Sequence, residues 1–190
     1  MTNTKNSGKN RVYPSSSLME QSFPMSETAF INAFEKYADA IFRHCTLRTG
    51  DRELGKDLMQ ETFMKTWICI TEGTVIENTR AFLYKIANNL IIDHFRRKRR
   101  RKEDSLEEMG DHGHELPHSD TLPPEALEQQ RIIETIERIE EPYRTAVVMR
   151  YIDDLQPREI AEALDISPNV VSVRIARGMK KIQIILGIDE

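Results

Sequence analysis

"QPREIAEALDISPNVVSVRIARGMKKIQIIL", residues 156–186, decides the fold of this chain. Pro157 suits the first position of a helix, where its missing N–H would have had no intrahelical partner and its fixed φ is already helical. Ile160, Ala161 and Leu164 then fall on one buried side, and Asp165 occupies a tight turn. Ser167 is a competent N-cap and Pro168 again stands at a first helical position, so a second helix starts there. A short helix, a turn of a few residues and a longer basic helix make a helix-turn-helix.

Stepping about 100° per residue around the second helix sorts its faces. With Val171 at the centre of the buried side, Ile175, Gly178 and Ile182 lie beside it, while Asn169, Val173, Ala176 and Lys180 point the opposite way. Ser172 and Arg177 flank that outer face, Arg174 and Lys181 stand nearer the boundary, and Pro168 sits at the entry. Asparagine can read adenine with two hydrogen bonds, arginine can read guanine or hold phosphate, and the apolar Val173 and Ala176 suit a thymine methyl. A blander account has the bases complementing the helix dipole at its C-terminus. That serves Lys180 and Lys181, but not a whole capped helix carrying bases and no acid.

Charge along the rest of the chain is sorted by segment. Residues 1–102 hold 18 Lys/Arg against 11 Asp/Glu, and residues 103–190 hold 9 against 20, within a net charge of −4. The basic part ends in seven consecutive bases, Arg96 to Lys102, and residues 103–130 then carry nine carboxylates and no Lys or Arg. Such sorting is expected of a chain that touches a polyanion at two separate places.

Outward from the helix-turn-helix, the pattern stays helical. "EEPYRTAVVMRYIDDL" supplies one preceding helix with Pro142 in its first turn, and "LEQQRIIETIERI" another, with Leu127, Ile132, Ile136 and Ile139 inward. Further upstream, Phe30, Phe34, Tyr37, Ile41 and Cys45 form one stripe that ends near Thr49-Gly50. A helix over about 51–70 buries Leu54 with Leu58, and Met59 with Phe63 and Trp67. A third, capped by Asn78 or Thr79, runs through Phe82, Leu83, Ile86, Leu90 and Ile91 into the basic run. The expected architecture is all-α. Residues 1–25 form a disordered tail, 26–102 a first small helical domain, 103–124 a flexible acidic linker, and 125–190 a second domain holding the helix-turn-helix.

Several chemistries find no support. There is no Gly-rich phosphate loop, nucleophile–base set or metal-ligand cluster, so neither a catalytic residue nor a cofactor is expected. His112, His114 and His118 lie in the linker without a cysteine or rigid scaffold and read as solvated residues. Cys45 and Cys69 lack CxxC spacing and read as core residues of a reducing compartment. No stretch reaches the eighteen or so apolar residues of a membrane span, and the N-terminus has no signal-like apolar run, so the expected location is the cytosol.

With these residues in view, the chain resembles the bacterial RNA polymerase sigma factors of the sigma-70 family, in the extracytoplasmic-function group. "DLMQETFMKTW" is similar to the family's Asp-Leu-x-Gln-Glu-x-Phe helix, and "RAFLYKIANNLIIDHFRRK" to its next helix. "IEEPYRTAVVMRYIDDLQPREIAEALDISPNVVSVRIARG" follows the order of its second domain. The resemblance implies a protein that binds core RNA polymerase, directs it to promoters and helps melt the minus-ten region, the reaction itself belonging to the polymerase.

It implies core-polymerase contacts on the clamp helices of the largest subunit from Asp57, Gln60, Glu61, Phe63 and Met64, and a polymerase partner surface that also includes the flap. The residues agree in that Asp57, Glu61 and Met64 recur at i, i+4 and i+7 away from Leu54 and Leu58. It implies contacts to the non-template strand of the minus-ten element from the loop 71–78 and from Arg80, Phe82, Lys85, Asn88, Asn89, Asp93, Arg96 and Arg97. Asn89 matches the asparagine near the flipped-base pocket, and Arg96 to Lys102 would then track phosphates. If about four of these bases touch phosphate, the log–log salt slope gains about −3.6, at about −0.9 per contact. The minus-thirty-five element falls to Pro168, Asn169, Ser172, Val173, Arg174, Ala176, Arg177 and Lys180. Family members are often held inactive by anti-sigma partners; nothing in the sequence identifies one.

Two departures stand out. Asp165 takes the turn position where glycine is common, and aspartate tolerates left-handed geometry. Val170-Val171-Ser172-Val173-Arg174 stands where the family often has Thr-Val-Lys-Ser-Arg, losing a base and two hydroxyls, so the expected minus-thirty-five contact is weaker or differently specific. Two rival readings fit the sequence less well. A stand-alone helix-turn-helix regulator has no use for the first domain and usually reads paired half-sites as a dimer, and a recombinase would need a nucleophile with supporting acids.

Overall fold

The structure, a computed structural model, describes residues 25–104 and 124–188. The expectations for the N-terminal tail and for the acidic linker with its three histidines therefore fall, but for a few boundary residues, outside the described residues. Among the described residues every element of regular structure is a helix.

Local chemistry sets the helix ends. α1 spans Glu27–Thr49; the Ser26 hydroxyl accepts from the Ala29 N–H at 3.2 Å, and Gly50 closes the helix at φ 69°. α2 spans Arg52–Thr71, and the Asp51 carboxylate accepts from the Leu54 N–H at 3.0 Å. The Asn78 side-chain oxygen accepts from the Ala81 N–H at 3.1 Å and starts α3, Thr79–Asp104. α3 continues unbroken through the basic run, since arginine and lysine are good helix formers and their charged ends reach water.

In the second half, α4 is Pro124–Glu137 and α5 is Tyr143–Val147. The sequence suggests one helix across this region. Instead α5 runs into a π-helical turn, Val148–Ile152, closed when the Asp153 N–H donates to the Val148 carbonyl five residues back at 3.0 Å. The helix-turn-helix follows as α6, Pro157–Leu164, and α7, Pro168–Leu186. Glu159 accepts from the Gln156 N–H at 2.8 Å, Ser167 accepts from the Val170 N–H at 3.3 Å, and Asp165 adopts φ 55°, ψ 47°. The turn expected to tolerate aspartate does so in the left-handed region.

The two halves share their core. α1, α2 and α3 pack on one another, α7 packs on α4, α5 and α6, and α6 lies along α3. One apolar cluster runs from Ile41, Leu58, Phe63, Leu83 and Ile91 through Tyr84 to Met149, Leu155, Ile160 and Val171. α3 is therefore buried on two sides. Leu83, Leu90 and Ile91 are buried as the stripe predicts, but so are Ala81, Tyr84 and Asn88, whereas Phe82 and Ile86 are only half-buried. Ile136, and Ile139 just beyond α4, are buried as their spacing predicts, but Ile132, read as inward with them, is 49% exposed while Thr135 is buried.

Candidate nucleic-acid interface

α7 presents the face its sequence dictates. Val171 and Gly178 are buried against the rest of the second half, Ile175 and Ile182 are half-buried, and Asn169, Ser172, Val173, Ala176, Arg177 and Lys180 are exposed with Pro168 at the entry. Gly178 lets α7 sit close to α5: a methyl there would stand 2.5 Å from a Val147 side-chain carbon. Arg174 is half-buried and lines, with Pro142, Tyr143, Asn169, Val173 and Arg177, an open hollow of about 370 Å³. The Ser172 hydroxyl donates to the Pro168 carbonyl at 3.0 Å, so its proton is committed to its own helix. Lys181 turns away from the outer face, to Glu140 at 2.8 Å and over the Tyr143 ring.

α3 carries the second basic surface. Asn89, Asp93, Arg96 and Arg97 are exposed and Phe82 and Lys85 half-buried. Asp93 lies 3.7 Å from Arg96 and takes the Arg97 Nε–H on its carbonyl at 3.3 Å, which ties the first two bases to the helix. A groove of about 480 Å³, lined by Ile92, Phe95, Arg96, Arg99 and Arg100, combines an apolar floor with guanidinium walls. That pairing suits a base stacked beside its phosphate. Partial burial and the neighbouring Lys98 and Arg97 lower the pKa of His94, which is therefore neutral at physiological pH.

Two residues assigned to this surface by sequence are engaged elsewhere. Asn88 is buried and accepts from Arg48 Nη1 at 3.5 Å. Arg80 turns toward the second half, to Glu159 at 3.7 Å and to the Asp153 carbonyl. On α2, Asp57, Gln60 and Met64 are exposed, Met64 at 58%, and Glu61 is half-buried. Phe63 departs from the other four: it is 4% exposed and packs edge-on against Phe30 and Phe34, so it shapes the core beneath that surface.

The sequence reading missed a polar network between the halves, buried at His44, Arg48 and Asp153. His44 Nδ1 lies 2.7 Å from Asp153 Oδ2, Arg48 Nη2 lies 2.7 Å from Glu141 Oε1, and the Asn78 amide donates to Glu162 at 3.2 Å. Burial would raise the Glu141 carboxyl, but Arg48, the Thr145 hydroxyl and Arg144 outweigh it and hold its pKa below the ordinary value. Burial likewise lowers the Arg48 pKa against the opposing pull of Glu141, and raises those of Tyr84 and, to about 12, Cys45. The available signal was His44 and Arg48, four residues apart beside the apolar stripe of α1.

Two helical units, the second ending in a helix-turn-helix whose outer helix is basic and open, define a DNA-binding protein of the two-domain helical class. Residues 33–101 match the family model for Sigma-70 region 2, and residues 129–182 match that for Sigma-70, region 4. The chain is 29% identical over 165 residues to the ECF RNA polymerase sigma factor SigW of Bacillus subtilis, covering 83% of this chain and 88% of that one. It is 25% identical over 167 residues to the ECF RNA polymerase sigma factor SigL of Mycobacterium tuberculosis, covering 85% and 91%. Its fold is similar to that of CnrH, solved in complex with the cytosolic domain of CnrY, at a TM-score of 0.65 and 20% identity over 90% of this chain and 95% of that chain. It is also similar to the sigma factor RpoE of Bartonella quintana, solved with the anti-sigma factor NepR, at 0.66 and 18% over 85% and 98%.

The chain belongs to the sigma-70 family of RNA polymerase sigma factors, in its extracytoplasmic-function group. As such it directs RNA polymerase to promoters. A stand-alone helix-turn-helix regulator would leave the region 2 match over α1–α3 without a purpose. Among the described residues, no helix is long and apolar enough to cross a membrane.

Proposed function

We propose that the molecule's three open surfaces divide the work of promoter recognition. The outer face of α2, with Asp57, Gln60, Glu61 and Met64 over a floor that includes Phe63, docks on the clamp helices of core polymerase, and the second domain reaches its flap. α3, through Phe82, Lys85, Asn89, Asp93, Arg96 and Arg97, with Arg80 and Asn88 once these are released, takes the non-template strand of the minus-ten element. α7, through Asn169, Ser172, Val173, Arg174, Ala176, Arg177 and Lys180, enters the major groove at the minus-thirty-five element. Residues 26–102 and 125–190 are then the two working domains, acting in the cytoplasm, and the polymerase alone performs chemistry. We also infer an anti-sigma partner that covers these faces, a reading supported by the RpoE–NepR likeness.

The observation that carries this is α7 itself: a capped helix with Val171 and Gly178 inward and an acid-free outer face that is open from Asn169 to Lys180. Run-off transcription with reconstituted holoenzyme tests it. Asn89→Ala should leave polymerase binding intact and cut promoter opening, read by permanganate reactivity of unpaired thymines. Arg177→Ala should cut duplex binding at the upstream element with opening preserved once bound. Normal opening and binding in both variants would refute the assignment.

A further inference from the structure

Several bases of the second half are settled against carboxylates. Arg144 holds Glu141 at 3.1 Å, Lys181 holds Glu140 at 2.8 Å, and Arg150 stands 4.0 Å from Asp154. Arg174 and Arg177 differ: neither pairs with a carboxylate among the described residues. Yet Arg174 is half-buried. A guanidinium partly withdrawn from water without a counter-ion is poised to take an anion. Both arginines line the hollow of about 370 Å³ beside α7, whose other wall is Pro142 and Tyr143 at the start of α5. Among the described residues, no Asp or Glu lines it.

Tyr143 is fixed in that wall from two directions. A methyl at Gly178 would stand 3.4 Å from the Tyr143 carbonyl oxygen and 3.5 Å from its Cβ, so the backbone of α7 lies directly against it. The Lys181 ammonium stands 5.5 Å from its ring centroid and is itself held by Glu140. The Tyr143 hydroxyl, by contrast, has no hydrogen-bond partner among the described residues. The two carboxylates that precede it in sequence are already engaged, Glu140 by Lys181 and Glu141 by Arg48 and Arg144. The hollow therefore keeps its positive balance and a free phenolic donor.

A helix with its side chains is about 10–12 Å across and the major groove about 12 Å wide, so a seated helix reads bases with its crest and meets a sugar-phosphate backbone along each flank. At about 100° per residue, Arg174 lies a quarter-turn round from Val173, on the flank where Tyr143 stands. We propose that this hollow seats one backbone phosphate at the edge of the minus-thirty-five element, with the Tyr143 hydroxyl and the Arg174 guanidinium both donating to it. Tyr143 is thereby a promoter-binding residue outside the helix-turn-helix. The proposal rests on the seating of α7 in the upstream groove given above. Such a contact fixes register and strength without selecting bases, and base choice stays with the crest from Asn169 to Ala176.

The test uses holoenzyme reconstituted with the full chain, and promoter fragments in which single phosphates across the upstream element are replaced by neutral methylphosphonates. With the unaltered chain, neutralising one linkage at the element's edge should weaken binding about three- to tenfold. Tyr143→Phe keeps the ring and removes the donor. It should bind the native duplex about threefold more weakly and respond less to neutralisation of that same linkage. Arg174→Gln should lose the response at that linkage altogether, and both variants should keep the ratio of specific to scrambled binding. An unchanged linkage profile in Tyr143→Phe would overturn the seat, and so would a loss spread evenly over every linkage, which marks a merely structural role. Inorganic phosphate added at constant ionic strength should leave promoter binding untouched; competition that Arg174→Gln abolishes would give the hollow to a free anion and sink the DNA role. Arg177→Ala judges the seating of α7 separately, because its loss of upstream binding does not depend on the Tyr143 linkage.

Discussion

His44 Nδ1 and Asp153 Oδ2 lie 2.7 Å apart across 109 residues of chain, both side chains shut away from water and the imidazole edge-on to Tyr84. Removing one member of such a pair strands the other in a medium that cannot solvate it. His44→Ala should lower stability by about 1–3 kcal/mol, measured by urea unfolding. Asp153→Asn, which can still accept a hydrogen bond, should cost less.

Two glycines mark places where helices touch backbone to backbone. A methyl at Gly55 would meet the Thr46 nitrogen at 2.9 Å and its Cα at 3.0 Å, atoms that move only if α1 moves. At Gly178 the nearest obstacle is the Val147 side chain. Overpacking of this kind costs about 1–3 kcal/mol. Gly55→Ala should therefore destabilise more than Gly178→Ala, whereas Gly178→Ala should weaken duplex binding more, because it tilts α7. Melting curves and fluorescence anisotropy separate the two effects.

The two thiols should react at different rates. Cys45 is buried, and that burial, reinforced by Asp153, pushes its pKa to about 12. Cys69 is partly exposed. The attacking species is the thiolate, so at neutral pH a thiol reagent should modify Cys69 in the native protein and Cys45 only after denaturation. Two thiols titrating together without denaturant would contradict this packing.

Acid should weaken the link through Glu141. Its carboxyl is held below the ordinary value in the closed fold, so its contribution is complete above the unfolded pKa near 4.5 and is lost as pH falls through the lower, folded value. Unfolding midpoints followed downward from pH 6 should begin to decline near pH 4.5, and Glu141→Gln should flatten that decline. A variant with an unchanged slope would remove Glu141 from the account.

Val173 stands 47% exposed in the middle of the reading face of α7. Val173→Lys should raise affinity for duplex DNA in general and reduce the preference among sequences, since lysine adds a phosphate contact without a base pattern. Competition binding with specific and scrambled duplexes gives both quantities. Equal affinity and preference would refute the assignment of this face.

Much of this was legible in residues that act locally. Ser26, Asp51, Asn78 and Ser167 cap helices by accepting from N–H groups three positions on, and Pro157 and Pro168 start helices through their own rings. The faces of α7 followed from periodicity because one side of that helix meets protein and the other meets nothing. Periodicity failed where a helix is covered twice. Tyr84 and Ala81 lie off the apolar stripe of α3 yet are fully buried, on a helix packed against α1, α2 and α6 together. Ile132 lies on the stripe of its helix yet is exposed.

By itself, then, the sequence determined the all-α character, the helix-turn-helix with its outward bases, and the segregation of charge, all of which depend on neighbours a turn or two away. Only the tertiary structure decided that Phe63 is buried beneath the outer face of α2, that Arg80 and Asn88 face a partner within the chain, and that His44 finds Asp153. Those outcomes depend on which surfaces meet, and desolvation on meeting is a property of the pair of surfaces that no single segment carries.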